Sequence, residues 1–488
     1  MGIVIKQSIQ NTVTTYIGFV IGAINTLFLY THFLTKEYFG LVGFVLSTAN
    51  IMMPLFMFGV SNTLVKFYTS YKTKNQQNGF LTLMLFLPLL MIISVGLFGT
   101  LGYEWISNWL ARKNSIIKDY TWLIYVIAVA MAYFEIFFAW SKIHFKSAFG
   151  NIMKEVFHRV CVMILLISVY LKWLTVSQFV YSLGGVYVLR MLIMTIYAFS
   201  IRFPKVNFNF NFNVGSVLKY SFLIIIAGSV AMLMLDLDKS MLGLLVQIDN
   251  IASYNVAIFI VTVIAVPSRA MHQITYPLTA KLMNEKNFKD LSNLYKKSAL
   301  NLLVVAGLLF ILIIANIKEL YTILPQDYSQ GLYVVIITAI IKLLDNLSGN
   351  NNSIIFNSDY YRIILFFGLL IIMVAIVLNF IFIPKYNING AATASFFALS
   401  LYGILKVWYV NKKFKMHPFS KKTGPTLLLI VCISLLFYFW DFNFDPIINI
   451  VFKSLIISII YGVLVLRLKL SNDISDIISR IITHRINK

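Results

Sequence analysis

Apolar stretches of about twenty residues recur from one end of this chain to the other, and no other feature constrains its fold as strongly. An α-helix rises about 1.5 Å per residue, so about twenty apolar residues cross the ~30 Å hydrocarbon core of a bilayer. Inside lipid the backbone polar groups must be satisfied within the protein, which leaves helices or closed barrels, and these lengths suit helices. The stretches lie near residues 12–33, 39–60, 80–102, 120–142, 155–171, 176–199, 216–237, 250–271, 293–316, 328–350, 362–383, 388–410, 425–440 and 447–467. Fourteen crossings put both termini on one side. Composition agrees: 59% of the 488 residues are hydrophobic and 12% charged, where a soluble protein carries about 25% charged residues. A soluble enzyme, a secreted disulfide scaffold and a disordered chain are excluded. The expected fold is all-α, a polytopic membrane protein with about fourteen transmembrane helices. The N-terminal stretch lacks a small-residue cleavage pattern and reads as a retained first helix. Cys161 and Cys432 lie in apolar runs and imply neither a disulfide framework nor a zinc site.

Charge tests the crossings independently. With both termini cytoplasmic, inner loops and span ends hold 28 Lys/Arg and 6 Asp/Glu, the outer side 9 and 10, and the span interiors 3 and 2. Nearly all of the +22 net charge therefore lies on one side, as the positive-inside rule requires. Topology and anionic lipid headgroups account for it without nucleic acid. Loops are short. The longest outer one, Tyr103–Asp119, has 17 residues, and Lys281–Lys297 on the inner side is expected to form an amphipathic surface helix.

Spans one to six and seven to twelve read as two copies of one unit. Tyr38 follows the first span and Lys66 comes 28 residues later; Tyr254 follows the seventh and Lys281 comes 27 residues later. Each intervening span carries a late proline, Pro54 or Pro267. Six crossings per copy is even, so the lobes are related by a pseudo-twofold axis along the membrane normal, the arrangement of alternating-access transporters. The expected organisation is an N-lobe over 1–210, a C-lobe over 211–415, and two further helices with a cytoplasmic tail over 416–488.

The segment from His32 through Thr35, Lys36, Tyr38 and Gly40 resembles the L-x-x-x-x-Y-G turn of polysaccharide repeat-unit flippases. Asn379, Pro384, Tyr386, Gly390, Ala391 and Ala392 match their N-x-x-x-I-P-x-Y-G-x-x-G-A-A signature, with Asn387 where the family has glycine. Asp238-Lys239 followed by Tyr254 is similar to the family pattern after span seven. The chain is thus identified as resembling Wzx-type polysaccharide transporters of the multidrug/oligosaccharidyl-lipid/polysaccharide (MOP, MATE-like) exporter superfamily. Read physically, Pro384 ends a helix and Gly390-Ala391-Ala392 lets the next begin tight against a neighbour.

Charges at membrane depth need a partner, water or a task. Glu135 and Arg190 lie at equal depth in spans four and six, consistent with an ion pair or a shared polar cavity. Lys342 and Asp345 lie at matching depth in span ten, three residues apart on one helix face. Asn25 continues the Gly18–Gly22 stripe of span one, for packing or for substrate contact. Arg159 is expected to reach the inner headgroups, and Asp236, Asp238 and Lys239 to cap the outer end of span seven. No nucleotide-binding loop and no nucleophile–base pair is present, so no catalytic residue or cofactor is expected and the chain reads as no enzyme.

What the resemblance implies is a flippase for polyprenyl-diphosphate-linked oligosaccharides. Repeat units of surface polysaccharide (O-antigen of lipopolysaccharide, capsule or exopolysaccharide) would cross a bacterial inner membrane. Arg190, Lys342, Lys239 and Asn25 are the substrate-binding candidates, and Glu135 and Asp345 the candidates for H⁺ or Na⁺ coupling. Membrane lipids, a polysaccharide polymerase and glycosyltransferases are the expected partners. A lipid II flippase and a multidrug exporter are the alternatives, with a polymerase disfavoured by the short outer loops.

Overall fold

The computed structural model describes residues 2–442, 444–471, 473 and 474; the remainder of the expected cytoplasmic tail lies outside the described residues. Every element among them is helical. Among the described residues, eleven helices are long and apolar enough to cross a membrane. One of these, Arg362–Phe414, runs through 53 residues but breaks at Asn387 (φ 50°, ψ −130°), so it holds spans eleven and twelve. The fifth span is a helix in three pieces, Ser147–Ile152, a π-helical turn Met153–Phe157 and His158–Tyr170. The thirteenth, Thr423–Phe439, has 17 residues. These account for all fourteen apolar stretches, in a multi-pass membrane protein.

Two compact units divide the chain, Met1–Asn255 and Val256–Lys488. In the first, the fourth span (Ile117–Lys142) lies against the second (Lys36–Met57) and the sixth (Val176–Ile201). The seventh (Val214–Leu245) packs along the second. In the second unit, the ninth span (Phe288–Ile323) carries the eighth, tenth, thirteenth and fourteenth around it.

The repeat prolines mark real breaks. Span two ends at Met57, the chain turns through Phe58 and Gly59, both at positive φ, and a short helix Val60–Phe67 follows. Gly59 is required twice over, since its φ is +66° and a Cβ would overlap the Ser221 carbonyl of span seven. Span eight breaks at a 3₁₀ turn, Val263–Ala265, just before Pro267. Span ten also breaks: Leu332–Leu347 is followed by Gly349 at φ +59° and the short helix Asn351–Phe356. Asn346 Nδ2 donates to the Ile264 carbonyl at the break of span eight (3.2 Å), and Asn350 Nδ2 to Thr279 Oγ1 (2.9 Å). The first of these bonds stitches the two interruptions to each other and satisfies a backbone carbonyl that lipid would leave bare.

Three connections differ from the sequence expectation or add to it. Lys281–Lys297 forms no separate surface helix. The eighth span's helix runs to Asn284, the chain turns through Lys286 (φ 53°), and the ninth span's helix starts at Phe288, its cap Asn287 accepting from Asp290 N. Extending both helices satisfies more backbone than a third helix with two extra ends. In the loop 103–119, buried Asn114 donates to the carbonyls of Gly243 (2.8 Å) and Val246 (2.9 Å) and accepts from Ile248 N (2.8 Å). The linker from span six to span seven is extended and fastened to span three (Lys74–Leu101). Arg202 donates to Tyr68 Oη, Gln77 Oε1 (2.8 Å) and Asn78 Oδ1 (3.0 Å); Asn207 N donates to Thr82 Oγ1 (3.0 Å); Gln76 Nε2 donates to the Asn211 carbonyl (3.1 Å). Alternation in Asn207–Asn213 turns Phe208 onto Phe86 and Phe212 onto Tyr71 and Phe80. Burial first, then the neighbouring Arg202 guanidinium, hold His144 below the usual imidazole range, so a neutral ring lies edge-on to Tyr68.

Candidate functional site

Spans one and five are deformed where they meet. Span one passes through a π-helical turn at Ile24–Leu29 and span five through one at Met153–Phe157, and an inserted residue of this kind re-aims the side chains around it. At Gly18 a Cβ would overlap the Glu155 carbonyl and come within 2.6 Å of Arg159 Nη1, so glycine permits the approach. Arg159 Nη1 donates to the Glu155 carbonyl (2.8 Å), a backbone group within the π turn, and to Glu155 Oε2 (3.3 Å). Asn25 Nδ2 donates to the Arg159 carbonyl (2.8 Å), while its buried Oδ1 accepts from nothing. Asn25 therefore packs span one on span five. Arg159 turns inward to Glu155 instead of reaching headgroups, because the π turn offers it a carbonyl and a carboxylate within four residues.

The expected Glu135–Arg190 ion pair does not form. Lys154, on the π turn, takes Glu135 at 2.6 Å. The spans do align in depth: the Arg190 guanidinium lies over the Phe134 ring at 4.2 Å and over Tyr187 at 4.8 Å. Glu135 and Glu155 are near enough to act on it electrostatically. Asp236 and Lys239 pair with each other (3.3 Å), and Tyr254 Oη donates to Asp238 at 2.7 Å. They do not cap span seven, because its helix continues to Leu245 and keeps all three within it.

Among its described residues, unit one holds three closed ion pairs, Glu135–Lys154, Glu155–Arg159 and Asp236–Lys239. Arg190, 7% exposed, makes no ion pair among the described residues, and its Nε has no partner. Two cation–π contacts contribute about 0.5–2 kcal/mol each. Desolvating an ion costs several kcal/mol. The guanidinium is undercompensated, which suits it to an anion.

Unit two has its own cluster. Half-buried Lys342 and exposed Asp345 are not paired among the described residues. Asp345 instead acts electrostatically on His272, Tyr402 and Lys406. Lys406, 2% exposed, donates to Asn352 Oδ1 (3.1 Å) and lies 4.2 Å from the centre of the Tyr402 ring. Sequence reasoning missed Lys406 by counting it with the inner end of span twelve. It missed Lys154 by placing it in a loop, where no π turn is visible.

The fold, a bundle of broken apolar helices with charges enclosed at depth, is similar to those of several solved membrane transporters. The lipid II flippase MurJ in an inward closed conformation matches with a TM-score of 0.72 at 14% identity, over 95% of this chain and 100% of that one. An inward-facing multidrug resistance MATE family transporter matches with a TM-score of 0.66 at 13% identity, over 82% and 94%. A MOP superfamily transporter from Pyrococcus furiosus matches at 0.60 and 12%, over 84% and 96%. At these identities the likeness shows the fold. The chain belongs to the polysaccharide biosynthesis protein family, which residues 4–283 match. An uncharacterized membrane protein of Methanocaldococcus jannaschii is 24% identical over 278 residues, 55% of this chain. The match spans about half, 54%, of that relative's length.

Proposed function

We propose that the chain is a flippase that moves polyprenyl-diphosphate-linked oligosaccharide repeat units across a bacterial inner membrane by alternating access, and not an enzyme. The observation that carries this is Arg190: a buried guanidinium with an open Nε, among carboxylates already taken by other cations. A diphosphate supplies the missing counter-charge, and the planar fork binds phosphate oxygens bidentately. Lys342 offers a second unpaired cation in unit two. The prenyl tail stays in lipid while diphosphate and sugars pass through protein. Glycosyltransferases would load the substrate and a polymerase would consume it. The lopsided Lys/Arg count supports cytoplasmic termini, and Asp345 or Glu135 would take up the coupling H⁺ or Na⁺.

The test is the lipid pool of cells carrying variants of Arg190. Arg190→Gln should trap repeat-unit-loaded carrier lipid on the inner side while the protein still accumulates in the membrane; Arg190→Lys should restore part of the flux. A stable, fully active Arg190→Gln protein sinks the assignment. Trapping of the peptidoglycan precursor lipid II instead would transfer the protein to that substrate.

A further inference from the structure

The end of unit one where spans two, four and six begin carries a group of aromatic rings that diphosphate binding leaves unused. Thr175 and Gln178 form a capping box that fixes the start of span six. The hydroxyls of Tyr120 and Ser177 share a hydrogen bond of 2.9 Å, which ties the starts of spans four and six together. On that base the rings of Trp122 and Tyr181 stand nearly parallel, their centres 6.0 Å and their planes 19° apart. Tyr120 lies 5.1 Å from Tyr181 and is itself buried. Trp122 and Tyr181 are 45% and 41% exposed. Two rings are thus held in place by their neighbours and remain partly uncovered.

Aromatic rings near the end of a span ordinarily sit among lipid headgroups. Charge argues against that here. Asp119 lies three residues before Trp122 on the same helix face. It is exposed and makes no ion pair among the described residues. It is near enough to act electrostatically on both Tyr181 and Tyr38. Lys118 beside it leaves the helix about 100° away around the axis. An unpaired carboxylate among the rings repels headgroup phosphates and keeps the patch in water. Rings with a carboxylate and phenol hydroxyls beside them suit a ligand with C–H bonds on one face and hydroxyls around its rim. The C–H bonds meet the negative face of a ring, and the hydroxyls donate to the carboxylate, which can only accept. A pyranose meets both conditions; a prenyl chain or a phosphate meets neither.

We propose that Trp122 and Tyr181 form a saccharide-binding platform at this end of unit one, with Asp119 accepting from the hydroxyls of the sugar. It rests on the proposed function for the source of that sugar, the oligosaccharide of the repeat unit. With cytoplasmic termini this end faces outward, so the platform holds the sugar portion on the side where the repeat unit is released.

Binding of the full-length protein in nanodiscs to a printed array of bacterial surface oligosaccharides tests it. The wild type should bind at least one glycan. Trp122→Ala or Tyr181→Ala should weaken that binding about tenfold, the worth of one aromatic face, and Trp122→Phe should keep part of it. Asp119→Asn, at an exposed position, should weaken it as well, and decides the matter even if an aromatic variant does not accumulate. The tryptophan emission that Trp122→Phe removes should be quenched by acrylamide in water. An array without signal, or binding that the alanine and Asp119→Asn variants leave unchanged, overturns the proposal. So does quenching of the Trp122 emission by brominated acyl chains, which would make it a lipid-facing belt residue. Failure on the array with repeat-unit flux intact strikes the platform alone, whereas lipid II trapped in the Arg190 assay strikes the transport assignment alone.

Discussion

Exchanging Asn387 for glycine should stabilise this protein, although it deletes a side chain from the middle of a 53-residue helical run. At φ 50° and ψ −130° Asn387 occupies backbone space that favours glycine. Holding a residue with a Cβ there costs about 1–3 kcal/mol. Glycine removes that strain and gives back about 0.5–1 kcal/mol through the greater freedom of the unfolded chain. The net gain is about 1 kcal/mol. Unit two has a length at which 1 kcal/mol moves the melting temperature by about 2–4 °C. Gly390→Ala, three residues on, should act in the opposite direction. Its Cβ would overlap the Phe382 carbonyl and lie 2.9 Å from Ile383 N, atoms of backbone that cannot swing aside. A clash of about 3 kcal/mol set against about 1 kcal/mol of helix propensity leaves a loss of about 2 kcal/mol. Thermal aggregation followed by size-exclusion chromatography on detergent-solubilised protein reads both signs. If Asn387→Gly melts at or below the wild type while Gly390→Ala melts above it, the strain argument is wrong.

Other expectations follow from single contacts. Asn114→Ala leaves the Gly243 and Val246 carbonyls and the Ile248 amide without their partner. Unsatisfied buried groups cost about 1–3 kcal/mol each, so a loss of about 3 kcal/mol in melts of purified protein is expected, and an unchanged transition would show that water replaces the side chain. For the buried Lys453–Glu319 pair, Lys453→Met should cost about 3 kcal/mol, while the Lys453→Met/Glu319→Leu double variant should recover most of it. Additive losses in that cycle would mean that the two side chains do not act as a pair.

The spans were legible because they are written in periodicity that tertiary context cannot easily override, about twenty apolar residues and then a basic loop; Pro54 and Pro267 each stand beside a helix break. Glu135 shows where legibility stops. Depth correctly placed it level with Arg190, whose guanidinium rests on the adjacent Phe134. Depth does not tell which way a side chain points, and Lys154 reaches it through a π turn that leaves no mark in sequence. Asp236 was misplaced for a related reason. Acidic residues read as a helix end, yet pairing with Lys239 lets the helix carry them onward. The Asn387 departure from the family glycine was visible in the sequence, but its meaning needed the backbone angle.

The linker between spans six and seven also has a mechanical meaning. Fully stretched, the twelve residues from Arg202 to Asn213 would reach about 40 Å, ample slack for one helix end to swing freely. Fastening at Arg202, Asn207 and Asn211 takes that slack away, and of the two residues left before Val214, Phe212 packs on Tyr71 and Phe80 and Asn213 caps the next helix. The start of span seven is therefore leashed to the start of span three, and any swing of that end beyond a few ångströms must drag span three along or tear the Asn–Phe seam open.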